Sequence, residues 1–177
     1  MIDYPAAFEN YRIGRKRQID TVVVHRSQGA APWRWFADPE AGVSAHVSVA
    51  DTGTSYRSVA DENTAFHADN YNDQSLGIEL TGYNEDPFDP RQIDAAAEIV
   101  ADWVVKYGIP LSSIIPHSQI ASDKWDPGSN FDWVDFRLRV QNKNKLGGDS
   151  VIPSAEDSNL LVLAAVGLTA ILWMVLR

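Results

Sequence analysis

Asp20-Thr-Val-Val-Val-His25 is a β-branched run that ends on a histidine. Such a run reads as a buried strand. A histidine at its C-terminal end stands where sheet ligands point into a crevice. Far downstream comes His117-Ser-Gln-Ile-Ala-Ser-Asp-Lys124-Trp-Asp126-Pro-Gly. Two imidazoles, His25 and His117, and the carboxylate of Asp126 can hold a metal and leave a fourth position open, which is the ligand set of a hydrolytic site rather than a structural one. Lys124 puts a positive charge near that open position. Each residue also has a plainer reading. His25 suits a core histidine, Asp126-Pro-Gly a turn, and Lys124 a solvated surface lysine.

Strands and helices alternate around these two stretches. Ala31-Pro-Trp-Arg-Trp-Phe36 reads as a short helical turn with Pro32 at its start. Ser44–Ala50 and Thr54–Val59 flank Asp51-Thr-Gly53, a hairpin signal. Ser75-Leu-Gly-Ile-Glu-Leu80 is a further strand. Asp89-Pro90 opens the clearest helix, with Ile93, Ala96, Ala97, Val100, Trp103 and Val104 as its apolar stripe and Gly108 as its stop. A last amphipathic helix is expected over Phe131–Val140, and residues 1–20 read as an irregular or partly helical lead-in. The implied fold class is α/β, a single mixed β-sheet flanked by helices.

Composition narrows the function. The net charge is −9 and no lysine/arginine block stands out, so no nucleic acid partner is expected. With no cysteine, any metal must be held by nitrogen and oxygen ligands. The N-terminus lacks the basic start and apolar run of a secretory signal peptide. Leu160 to Leu176, LLVLAAVGLTAILWMVL, carries no charge and follows a polar stretch. A buried core helix would explain it. A run apolar on every face at the short end of spanning length points instead to a transmembrane helix over residues 159–177, with the lipid bilayer as partner and Trp173 as interface anchor. The expected organisation is therefore a domain over 1–142, a polar linker over 143–158 and the membrane helix. Localisation is expected to be membrane-anchored, in a host inner membrane or a virion membrane.

Five motifs recur in a fixed order: Val-Val-Val-His25, Val-Ser-Ala-His46 before the hairpin, Ala-Phe-His67-Ala, Ser75-Leu-Gly-Ile-Glu79-Leu and His117…Lys124-Trp-Asp126-Pro-Gly. Together they resemble the zinc-dependent N-acetylmuramoyl-L-alanine amidases, the type 2 amidase group that shares its fold with peptidoglycan recognition proteins and includes many phage lysins. The resemblance covers about residues 18–140. It implies Zn2+ on His25, His117 and Asp126, Glu79 as general base and Lys124 as stabiliser of the oxyanion. It also implies peptidoglycan as partner, host cell lysis or wall penetration as setting, and a monomeric catalytic domain.

This chain departs from the pattern in places. Ala45 stands where some relatives carry a catalytic Tyr, which puts more weight on Glu79. Arg26 follows the first ligand, where a His or a small residue is common. The short stretch between His25 and the hairpin trims the first family helix. His67, Asn72 and Trp125 are expected along the substrate groove. His46 is placed there too, although a strand position favours a supporting role. Glu79 also has a plainer reading, an exposed residue on a sheet edge. Two other readings compete: a peptidoglycan-binding module without catalysis, and a membrane-anchored structural protein of a virion.

Overall fold

A computed structural model describes residues 1–83 and 85–147, without the side chains of 146 and 147. Residues Met1–Asn144 form one compact unit; of the second unit, which begins at Lys145, the description covers only the end of a helix. The strands are β1 (Ile2–Asp3), β2 (Tyr11–Arg12), β3 (Thr21–Arg26), β4 (Val47–Val49), β5 (Ser55–Arg57), β6 (Thr64–Ala65), β7 (Ser75–Leu80) and β8 (Ile114–Pro116). The helices are α1 (Pro32–Phe36), α2 (Pro90–Tyr107) and α3 (Trp133–Gly147).

Six strands make the main sheet in the order β1-β5-β4-β7-β3-β8. β3 runs parallel to both β7 and β8, and β4 runs parallel to β7. The hairpin pair β4–β5 is antiparallel, with Val47 opposite Arg57. Every residue of β3 is buried. This is why its sequence is a continuous β-branched run rather than an alternation: a parallel strand covered on both faces has no solvent side. β8 closes the edge and ends on Pro116, whose missing N–H costs least there.

Alternation within the strands divides two environments. Val22 and Val24 of β3, Leu76, Ile78 and Leu80 of β7, and Val47 and Val49 of β4 join Ala96, Ala97, Val100 and Trp103 of α2 and Phe136 and Val140 of α3 in the main core. Full burial of each such aliphatic chain is worth about 1.5–3 kcal/mol. α2 starts on Asp89, whose side chain accepts from Arg91 N–H, and stops at Gly108 in the left-handed region (φ 66°). The opposite face of the sheet carries His25, Gly77 and Glu79.

Several expectations change. The lead-in contains two short strands, and β1 pairs in parallel with β5. A second sheet, the antiparallel pair β2–β6, stands beside the main one. Strands of two residues carry no readable periodicity, so neither was visible in the sequence. α3 runs on past Val140 to Gly147.

The membrane helix is a correction to the fold class. Among the described residues no helix is long and apolar enough to cross a membrane. α2, at 18 residues, exposes Asp94, Glu98, Asp102 and Lys106 at four-residue spacing, as a surface helix does. Residues 159–177, on which the span was placed, lie outside the described residues. The fold class is the mixed sheet with flanking helices alone. Membrane-anchored localisation and the bilayer as a partner lose the element on which they rested.

Candidate active site

Parallel register builds the site. β3 pairs His25 with Glu79 of β7, and Val24 with Pro116 of β8, so His117 follows as the next neighbour of His25. Glu79, His25 and His117 thus form a row across the C-terminal ends of three adjacent strands. The loop after β8 then returns Asp126 to this row, with Ser118 N–H donating to Asp126 O (3.3 Å).

The three ligand candidates converge. His25 Nδ1 is 3.1 Å from His117 Nδ1 and 3.1 Å from Asp126 Oδ2, and His117 Nδ1 is 3.2 Å from the same carboxylate oxygen. A tetrahedral zinc with bonds of about 2.0–2.1 Å would space its ligand atoms by roughly 3.3 Å. The triangle therefore has the size of one face of such a site, and all three residues line one cleft. Burial lowers the pKa of His25, keeping it neutral as a ligand must be. For Asp126, burial works to raise the pKa. Its close contacts with the imidazoles of His117 and His25 outweigh it and hold the carboxyl well below the usual carboxylate range.

Glu79 belongs to an interior strand, not to an edge, which corrects one of its sequence readings. Its Oε2 is buried and has no hydrogen-bond partner, although the residue lines the cleft. Burial, with the nearby charge of Asp126, pushes its carboxyl up to about 8. Lys124 stands on the cleft wall with its ammonium 3.6 Å from Asp123 Oδ2. The cleft has a volume of about 480 Å³.

The remaining predicted residues divide. His67, Asn72 and Trp125 line the cleft, and Trp125 is 76% exposed at its rim. His67 also reaches inward, its Nδ1 lying 3.0 Å from His25 Nε2. Asn72 Oδ1 accepts from the N–H groups of His67 and Ala68 (2.9 and 2.6 Å), fixing the loop that carries the histidine. His46 does not reach the cleft. It is fully buried, accepts from Gly77 N–H at Nδ1 (2.9 Å) and lies 2.6 Å from Arg15 through Nε2. Burial, reinforced by Arg15, lowers its pKa to about 3. It supports the sheet under the site instead of touching a substrate.

Sequence reasoning passed over Ser75, Gly77 and Arg15. The first two had a signal: Ser75-Leu-Gly77-Ile-Glu79 places all three on one face of the strand. Arg15 had none; its guanidinium collects the carbonyls of Asp61, Asn72, Asp73 and Ser75 beneath the site.

The N-acetylmuramoyl-L-alanine amidase family model matches residues 15–129, a span that includes His25, Glu79, His117, Lys124 and Asp126. The chain belongs to that family. As an amidase, it is an enzyme that acts on peptidoglycan. N-acetylmuramoyl-L-alanine amidase A from Achromobacter lyticus is 26% identical to it over 157 residues, covering 75% of this amidase and 88% of that protein. A crystal structure of AmpD matches with a TM-score of 0.68 and 25% identity, over 78% of this amidase and 93% of that chain. The curated AmpD enzyme of Salmonella typhimurium is spanned over 57% of its length. An endolysin from Bacillus subtilis shares the fold, with a TM-score of 0.66 at 22% identity over 78% of this amidase and 97% of that chain.

Proposed function

We propose that this amidase hydrolyses the amide between the lactyl group of N-acetylmuramic acid and L-alanine of the stem peptide, with zinc held by His25, His117 and Asp126. The observation that carries the reading is the pairing of a ligand triangle with a desolvated, partnerless Glu79 oxygen on the adjacent strand. An amide is a poor electrophile, and zinc when bound supplies Lewis acidity toward the scissile carbonyl and a lowered pKa for water.

Glu79 then takes a proton at Oε2 from the attacking water and returns it to the leaving amine. A carboxyl raised toward neutrality suits both steps, because it can hold a proton and release it near the working pH. Lys124 swings from Asp123 toward the cleft and places its ammonium by the developing oxyanion. Trp125 and Asn72 border the space for the sugar and the peptide. The setting is breakdown of the cell wall in the manner of a phage lysin, which the likeness of fold to an endolysin supports. A module that only bound muropeptides would gain nothing from burying an unpaired carboxyl beside a complete ligand set.

The test is mass analysis of purified peptidoglycan digested by the full chain. Release of free stem peptides beginning with L-alanine, stopped by a chelator and restored by zinc, is expected. Cleavage only at glycosidic bonds, or no cleavage with zinc loaded, would overturn the reading.

A further inference from the structure

A chain of hydrogen bonds leads from His25 into the protein. His25 Nε2 lies 3.0 Å from His67 Nδ1, His67 Nε2 lies 3.2 Å from Ser75 Oγ, and Ser75 Oγ donates to Tyr71 O at 2.6 Å. Its far end fixes its direction. A backbone carbonyl can only accept. Ser75 has one hydroxyl proton and spends it on Tyr71 O, so toward His67 it accepts. His67 must then carry its proton on Nε2 and present a lone pair at Nδ1. His25 in turn must carry its proton on Nε2, which leaves the lone pair of Nδ1 facing His117 and Asp126.

The sequence around the chain is fitted to it. A Cβ at Gly77 would stand 2.6 Å from His67 Cγ and 2.7 Å from His67 Nδ1. The ring therefore rests on bare backbone of β7, a place that any larger residue at 77 would take. From the other side, Asn72 Oδ1 pins the His67 and Ala68 amides. His25 and His67 meet edge to face, with ring centroids 5.1 Å apart.

We infer that His67 and Ser75 are positioning residues that lock His25 in the tautomer whose Nδ1 can bind the metal. This inference rests on the zinc-amidase reading and reassigns His67 from groove wall to support of a ligand. A locked tautomer removes the cost of choosing between two imidazole forms when the metal enters, and an outer partner of this kind is worth 10–100-fold in affinity.

Two measurements on the full chain test it. Long-range 1H–15N correlation spectra of the metal-free protein report which ring nitrogen of His25 is protonated. Chelator competition reports zinc affinity. The wild type is expected to show His25 protonated at Nε2 alone. His67→Ala should give a tautomer mixture and roughly 10–100-fold weaker zinc binding. His67→Asn, which offers an amide oxygen near the old Nδ1 position, should recover most of both. Ser75→Ala keeps the ring and serves if His67→Ala does not fold. Its expected effect is the same in direction, and Tyr71 O still accepts from Gln74 N–H. An unchanged Nε2–H signal and unchanged affinity in the variants would overturn the inference. The tautomer spectra need no metal, so failure of the wild type to bind zinc would count against the proposed function and leave this reading to its own result.

Discussion

Glu79 and His25 are direct partners on adjacent parallel strands, with side chains on the same face of the sheet. One is a metal-ligand candidate and the other a carboxyl with a buried, unpartnered oxygen. Backbone pairing fixes their separation, so neither depends on a loop for its position. Glu79→Gln keeps the shape and removes the titratable carboxyl. Its expected effect is a fall in kcat of about 10²–10⁴-fold with zinc affinity within a few-fold of wild type. Steady-state hydrolysis of a muropeptide, with zinc titration alongside, checks it. Loss of zinc binding in step with activity would mean that Glu79 supports the metal site instead.

The same carboxyl makes the metal-free protein sensitive to base. Its folded pKa is about 8 against an ordinary 4.5. A raised carboxyl pKa stabilises the fold while the group is protonated in both states, and this contribution is lost as pH rises through the folded value. Stability of the metal-free form should fall between about pH 5 and pH 8, by on the order of 4 kcal/mol from this residue. Glu79→Gln should flatten that fall. Urea denaturation of chelator-treated protein across the range measures it, and equal slopes for the two proteins would refute it.

Lys124 offers a contrast, since it sits on a loop, half-exposed, with its ammonium near Asp123. Nothing in the fold depends on it. Lys124→Ala should lower kcat by about 10²–10³-fold, leaving thermal stability within about 0.5 kcal/mol and zinc affinity nearly unchanged. Lys124→Arg should recover part of the rate. A rate within a few-fold of wild type for Lys124→Ala would remove the residue from the mechanism.

Much of this was legible before the structure, and the reasons are physical. Buried parallel strands leave a β-branched signature, so Thr21–Arg26 was readable. The hairpin carried its glycine, and α2 carried both of its caps. The convergence of His25, His117 and Asp126 was readable because chemistry restricts residue type: few roles call for two imidazoles and a carboxylate in this pattern. What stayed hidden depended on partners distant in sequence. β1 and β2 are strands only because β5 and β6 lie beside them. Glu79 looked free to be an edge residue until β3 and β4 were seen on either side of it. The apolar stretch at 159–177 was judged from composition alone, and no described helix carries that reading.

Asp61 provides a test of the scaffold away from the chemistry. It is buried, and its carboxylate accepts from Arg57 Nη1 (2.5 Å), Lys106 Nζ (3.1 Å), Tyr107 Oη (3.0 Å) and Trp103 Nε1 (3.3 Å). It thereby ties the segment after β5 to the last turns of α2. Burial works to raise its pKa, but the bonds from Arg57, Lys106 and Tyr107 outweigh it and bring it to about 2, from an ordinary 3.8. For a lowered carboxyl, the stabilisation is full above the ordinary value and is lost as pH falls through the folded one. Its share of acid stability should therefore disappear between about pH 4 and pH 2. Asp61→Ala leaves the indole and guanidinium donors without their acceptor, and should cost about 2–4 kcal/mol at pH 7. The difference from wild type should shrink as pH falls toward 2, because protonation takes the same charge from the wild type. Denaturant midpoints of both proteins at pH 7, 4 and 2.5 measure this, and a gap independent of pH would show that packing rather than charge holds α2 at this point.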